Sequence, residues 1–292
     1  MTTTAPAPVL IGLIGAGIRQ SHSPLLHQHE ADRHGIRLLY TTIDSHVLGL
    51  HAADLPELLR WARTLGYRGL NVTHPFKQEI VRHLDDLSPE ARTLCAVNTV
   101  VFDDSAVATG HNTDAYGFRT SFAEHFPAAP RERVVQLGAG GAGSAVAHAM
   151  LTLGARHLTI VDVDPDRAST LAHALAGQFG PDRVGTGSPG DQSSLLATAD
   201  GVINATPIGM AHHPGSPVAT EDLRANLWVA DLVYRPADTA LLRAARAAGA
   251  ATLPGVAMSV HQAVAAFELF TGLRADPGAM LADSAELLRI GG

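Results

Sequence analysis

The most specific chemical signature in this sequence is the run Gly138-Ala139-Gly140-Gly141-Ala142-Gly143, preceded by apolar Val134-Val135 and followed by an alanine-rich helical stretch. Gly138 permits a tight turn, Gly140 lets backbone approach a ligand, and Gly143 lets the following helix pack closely on the strand. A helix starting there turns its unpaired N–H groups and the positive end of its dipole toward an anion. This strand, glycine turn and helix fit the pyrophosphate of a dinucleotide. Asp162, at the end of the next apolar run, lies 19 residues beyond Gly143. That is close to the ~20 expected of an acid that binds the adenosine ribose. A carboxylate there accepts hydrogen bonds from ribose hydroxyls and repels a 2′-phosphate, so the expected cofactor is NAD, with NADP the weaker alternative.

Three polar clusters form a second set. Ser21-His22-Ser23-Pro24, Thr73-His74-Pro75-Phe76-Lys77 and Gly110-His111-Asn112-Thr113-Asp114 each follow a short apolar run. Taken singly, Ser21 and Ser23 before Pro24 read as a helix cap, and Thr73 with Pro75 as a cap for a helix over Phe76–Leu84. Lys77 and Asp114 taken singly read as surface charges. Gathered at the same end of one sheet, the clusters read as a binding site, without naming its substrate. A further glycine turn, Gly15-Ala16-Gly17, has Gln20 where a third glycine belongs, and it needs another explanation.

The elements that position these residues alternate. Strand-like runs at Val9–Ile14, Leu38–Ile43, Gly69–Val72 and Val97–Phe102 are separated by helical stretches at Pro24–Arg33 and Leu55–Leu65. Such alternation predicts an α/β fold with a mostly parallel sheet, whose ligand lies beyond the carboxyl ends of the strands. A second doubly wound unit follows, with a strand ending in Asn204-Ala205-Thr206 and another over Trp228–Tyr234. Arg167, in the helix after Asp162, either stacks near the adenine or is a helix-surface charge. Val233, Gly255 and Met258 complete the cofactor candidates. Met258, Val260, Val264, Phe267 and Phe270 recur at helical spacing and predict a core-packing helix with Gln262 off the stripe. We expect residues 1–115 to form a first domain, 116–254 an inserted Rossmann-like dinucleotide-binding domain, and 255–292 helices returning to the first.

Composition narrows the function classes. The 292 residues are 46% apolar and 17% charged, ordinary for a globular protein, and carry a net charge of −7 with no basic block, so nucleic acid is not an expected partner. One cysteine, Cys95, excludes an intrachain disulfide or a cysteine zinc site. No spacing among His22, His27, His29 and His212-His213 matches a ligand pattern, so no metal is expected. Met1 to Pro8 lacks a signal-peptide pattern, and no apolar run approaches the ~18 residues of a membrane span, which leads us to expect a cytoplasmic protein.

Together these motifs resemble the family of shikimate and quinate/shikimate dehydrogenases. The matching stretches are the Ser21–Pro24 cluster, Asn71–Lys77, Ala96-Val97-Asn98-Thr99, Gly110–Asp114, the Gly138 loop, Asn204–Met210, Asp231–Pro236 and His261-Gln262-Ala263, in family order over almost the whole chain. The resemblance implies an oxidoreductase that interconverts shikimate and 3-dehydroshikimate, and with them quinate and 3-dehydroquinate, by hydride transfer at C3. It implies that Ser21 and Ser23 hold the substrate carboxylate and that Thr73, Asn98 and Gln262 bind ring hydroxyls. Lys77 and Asp114 would be the catalytic pair, with Tyr234 near the carboxylate. Hydride leaves a secondary alcohol as a carbonyl only if the hydroxyl proton also departs, which Lys77 or Asp114 would serve; the pair would titrate as a unit. Asp162-Val163-Asp164 stands where NADP-using members carry an arginine stretch and looks like the NAD-preferring branch. Some quinate-active relatives have threonine in place of Ser23, a one-methyl difference worth about 1 kcal/mol. An NADP-dependent biosynthetic or amino-shikimate dehydrogenase and a non-catalytic dinucleotide sensor remain open, as does a monomer or homodimer.

Overall fold

The structure is a computed structural model that describes residues 8–290. The first seven residues, on which the signal-peptide reading rests, and the last two lie outside the described residues. The chain runs through β1 (Val9–Gly15), α1 (Ser23–Arg33), β2 (Leu38–Asp44), α2 (Ser45–Leu48), α3 (Leu55–Thr64), β3 (Gly69–Val72), β4 (Asp86–Leu87), α4 (Pro89–Leu94), β5 (Thr99–Phe102) and β6 (Ala108–His111). It continues with α5 (Thr113–His125), β7 (Arg133–Leu137), α6 (Gly141–Thr152), β8 (His157–Val161), α7 (Pro165–Phe179), β9 (Val184–Gly187), α8 (Gln192–Thr198) and β10 (Gly201–Asn204). β11 (Trp228–Asp231), α9 (Ala240–Ala247), β12 (Thr252–Pro254), α10 (Gly255–Thr271) and α11 (Pro277–Ile290) complete it.

The described residues form two six-stranded sheets, in the orders β2-β1-β3-β5-β6-β4 and β12-β11-β10-β7-β8-β9. In the first, β2, β1 and β3 run parallel, while β5 is antiparallel to both β3 and β6. The second is parallel throughout. Parallel strands covered on both faces read as unbroken apolar runs. β7 does so: Val134, Val135 and Leu137 are each at most 3% exposed. The chain divides into two compact units, residues 1–113 with 262–287 and residues 114–261 with 288–292. The sequence reading puts the joints after residues 115 and 254. The division instead falls at the start of α5 and within α10, because a continuous helix hides a change of unit from local patterning.

In the first unit the core gathers Ile14, Leu55, Leu59, Leu70, Phe76, Ile80 and Val100 under α3 and the sheet. The apolar stripe of α10 is buried as its spacing predicts, with Phe267 and Phe270 at most 1% exposed. The helix expected over Phe76–Leu84 is not an α-helix; the segment turns and then forms a 3₁₀ helix over Glu79–His83. The Lys77 carbonyl explains this. It accepts from Val97 N at 2.8 Å, while Val81 N bonds back to Gln78 O, so the α ladder is interrupted where Lys77 is tied to the strand beside it.

The unexplained turn after β1 has its answer at the end of β2. Asp44 accepts from Gly17 N at 3.1 Å and Ile18 N at 3.0 Å, and from His46 N at 3.1 Å. Gly17 sits at φ +67°, which a β-carbon disfavours. The turn therefore already holds an anion, the protein's own carboxylate. Burial raises the Asp44 carboxyl, but its backbone hydrogen bonds outweigh this and hold its pKa below the ordinary carboxylate value. A depressed native pKa contributes stability that is present above the unfolded value and lost as pH falls through the native one. Asp44→Asn is therefore expected to melt below wild type at pH 7, with the gap narrowing below about pH 4; parallel thermal unfolding at both pH values checks this.

Candidate functional site

In the first unit the polar clusters are held at the carboxyl ends of β1, β3 and β6, with Asn98 at the amino end of the antiparallel β5. Ser21 and Ser23 follow β1, their hydroxyls 3.2 Å apart, and Ser21 Oγ also accepts from Ser23 N at 3.3 Å. The cap reading of this pair does not hold: α1 starts at Ser23 with His22 at its cap and no side-chain cap bond. Thr73 follows β3, its N–H donating to Ile14 O at 2.9 Å, while Ala16 N donates to His74 O at 2.9 Å. Both bonds pin the Thr73–Lys77 loop to the end of β1. The His74–Pro75 peptide is cis. Lys77 is half-buried, and its carbonyl bond to Val97 places it beside Asn98.

Asn98 belongs to a buried polar network. Its Oδ1 accepts from Thr113 N at 2.8 Å and its Nδ2 donates to Thr113 Oγ1 at 2.9 Å. Asn71 donates to Thr99 Oγ1 at 3.1 Å and accepts from Tyr40 Oη at 2.7 Å. Thr113 Oγ1 reaches Gln262 Oε1 at 3.4 Å, so the glutamine off the apolar stripe joins the same network. Sequence reasoning assigned no role to Tyr40, Asn71, Thr99 or Thr113, although the last three lie in its matched stretches. An asparagine inside the otherwise apolar, fully buried strand Gly69–Val72 is the one signal that points to them. Asp114 opens α5 directly after Thr113 and is 7% exposed, so it is no solvated surface charge.

In the second unit each glycine has the geometry its position predicts. Gly138 has φ +99°, and a β-carbon on Gly143 would lie 2.5 Å from Gly138 O. At Gly140 and Gly141 a β-carbon would meet nothing within 4 Å, leaving open space over the N-terminus of α6. Ala139 and Ala142 carry that turn between them. Gln136, unremarked in the sequence and fully buried, donates from Nε2 to Gly138 O and Gly143 O, both at 2.9 Å, and braces the turn from below. Asp162 is 9% exposed; it accepts from Ala139 N at 2.7 Å and Asp164 N at 2.9 Å. One bond on each oxygen leaves lone pairs for ribose hydroxyls. The exposed Arg167 lies 4.0 Å from Asp162 and 3.6 Å from Asp164, an ion-paired surface charge. The open turn, the unspent acceptors and the bracing glutamine fit a dinucleotide.

Asn204 ends β10 and accepts from Thr206 N and Oγ1 at 3.0 and 2.6 Å, with Ala205 between them bonded to Leu137 O. Val233 is buried, Gly255 packs against the Leu232 carbonyl, Met258 is 9% exposed and Tyr234 is 45% exposed. Among the described residues, no three His, Cys, Asp or Glu side chains gather as a metal site, and no helix is long and apolar enough to cross a membrane. His27 is a packing residue. Burial among Tyr40, Phe267 and Phe270 lowers its pKa to about 3, keeping it neutral.

Residues 13–100 match the family model for the shikimate dehydrogenase substrate binding domain, and residues 255–282 that for the shikimate 5'-dehydrogenase C-terminal domain. A shikimate dehydrogenase (NADP(+)) of Streptomyces avermitilis is 57% identical over 95% of both chains. The chain belongs to the shikimate dehydrogenase family. A quinate/shikimate dehydrogenase (NAD(+)) of Corynebacterium efficiens is 45% identical over 92% of this chain and 94% of its own. Quinate dehydrogenase from Corynebacterium glutamicum in complex with NAD superposes with a TM-score of 0.91 at 44% identity, covering 96% of this chain and all of that one.

The shikimate dehydrogenase fold here depends on its buried network being fully paired. Asn71→Leu leaves the Tyr40 hydroxyl without its acceptor and is expected to lower stability by about 1–3 kcal/mol, read as a reduced urea midpoint at unchanged slope.

Proposed function

We propose that this protein is an NAD-dependent shikimate dehydrogenase that also oxidises quinate. The charge around Asp162 carries the cofactor reading. The cation paired with that carboxylate, Arg167, is shared between Asp162 and Asp164, and Asp166 directly precedes it, so the patch is net negative. A 2′-phosphate would add about two further negative charges there, whereas ribose hydroxyls donate to the carboxylate. Overall identity does not choose, since relatives named for NADP(+) and for NAD(+) both align along nearly the whole chain. The local charge favours NAD.

The cofactor supplies the hydride acceptor; the chain's own residues do the rest. The Gly138–Gly143 turn and α6 take the pyrophosphate, Asp162 the adenosine ribose, and Asn204, Ala205, Thr206, Val233, Gly255 and Met258 the remaining half. Ser21 and Ser23, whose hydroxyls already lie side by side, hold the substrate carboxylate. Thr73, Asn98 and Gln262 bind ring hydroxyls, and Tyr234 is a further candidate ligand of the substrate. Lys77 takes the C3 hydroxyl proton as hydride departs and returns it in reduction, and Asp114 orients it. Tying the Lys77 carbonyl to Val97 fixes its backbone, which general acid–base geometry demands.

Two outcomes test this reading. Lys77→Ala is expected to lower kcat by at least about 10²-fold while dinucleotide affinity, measured by fluorescence titration, stays near wild type; near-normal turnover would remove the lysine from the chemistry. Asp162→Ala is expected to reduce the ratio of kcat/KM with NAD to that with NADP by about tenfold or more, roughly the value of one charge-assisted contact. An unchanged ratio would show that another group reads the ribose.

A further inference from the structure

Asp231 has no place in the chemistry described so far, yet it is the most enclosed carboxylate at the carboxyl edge of the second sheet. It ends β11 and is 1% exposed. Its Oδ1 accepts from Asn204 Nδ2 at 2.9 Å and from Val233 N at 3.0 Å, and its Oδ2 accepts from Thr239 Oγ1 at 2.6 Å. All three donors are uncharged. Burial raises its carboxyl above the ordinary range, opposed by these three bonds. The N-terminal end of the 17-residue α10, packed against the Leu232 and Val233 carbonyls, adds a partial positive charge that favours the ionised form. The carboxyl thus sits at the sheet edge among dipoles rather than beside a cation.

Topology says what that carboxyl faces. The glycine turn follows β7 and Asp162 follows β8, on one side of it. A dinucleotide seated on both must send its other half across the ends of β10 and β11, one and two strand spacings away, about 5 and 10 Å. Asp231 stands at the second of these, lining a small cavity with Phe118, Leu232, Leu253, Gly255 and Met258. The nicotinamide ring carries a positive charge when oxidised and none when reduced.

Resting on the dinucleotide reading above, we propose that Asp231 is the electrostatic counter-charge of the nicotinamide. It stabilises the bound oxidised cofactor relative to the reduced one, so the protein takes up the oxidised dinucleotide in preference to the reduced one and makes bound reduced dinucleotide the stronger hydride donor. The bias is built from a carboxylate that neutral donors hold in place, so it costs the site no cation of its own.

Asp231→Asn isolates the charge. An asparagine placed with its oxygen at Oδ1 still accepts from Asn204 and Val233. Its amide takes the Oδ2 position, where the Thr239 hydroxyl rotates to accept. Dissociation constants of NAD+ and NADH, measured without substrate by calorimetry and by fluorescence, give the ratio that matters. The expected result is a shift of about tenfold in favour of NADH. Asp231→Ser, whose hydroxyl can also accept from Val233 N, is a second neutral variant expected to shift the ratio in the same direction. A ratio equal to wild type in the folded neutral variants, whether or not both affinities fall together, overturns the proposal and leaves Asp231 a brace for the β10 and β11 ends. Failure of wild type to bind either dinucleotide would instead overturn the cofactor reading, and this proposal with it.

Discussion

In each unit a carboxylate at the end of the second parallel strand holds the turn that follows the first. Asp44 does so for β1, and Asp162 does so for β7. The interaction solves the same problem twice. A strand that turns into a helix leaves N–H groups facing the sheet edge, and buried donors must be paired. The outcome differs because the second acid spends one bond per oxygen and lies beside an open, glycine-lined surface. The first accepts two bonds from its turn, at Gly17 and Ile18, and a third from His46. One turn is thereby structural and the other able to receive an anion.

The rest of the polar architecture is organised around neutral hydrogen-bond networks. Asn71, Asn98, Thr99, Thr113 and Tyr40 fill one another's hydrogen-bonding capacity under the first sheet's edge. Asn204, Thr206, Asp231 and Thr239 do the same in the second. Paired neutral groups are rigid and inexpensive to bury, whereas a charge taken from water without partners is costly. Charges are therefore few and specific in these two regions. Asp231 is the one in the second network, at the end of β11.

Particular residues show how far the sequence could be read. The glycine turn, the acid 19 residues after it and the apolar stripe of α10 carry fixed periods and distances, and each appears where its spacing placed it. The helix over Phe76–Leu84 was legible only as propensity, and a single long-range bond from Val97 to the Lys77 carbonyl overrode it. Gln136 and Asn71 look like interruptions of apolar strands. Their meaning lies in partners up to 31 residues away, as with Tyr40, or across a turn, as with Gly143.

What the sequence determined by itself is local: the alternation of strands and helices, the order of the motifs, and the residue types gathered in each cluster. Those follow from backbone periodicity and side-chain chemistry, which act over a few residues. The tertiary structure alone decided which glycine turn is already filled, which serine hydroxyls lie together, and which carboxylate is buried among neutral donors. Those depend on strand order and on hydrogen bonds between residues far apart in the chain, because burial and pairing arise only when the sheets assemble.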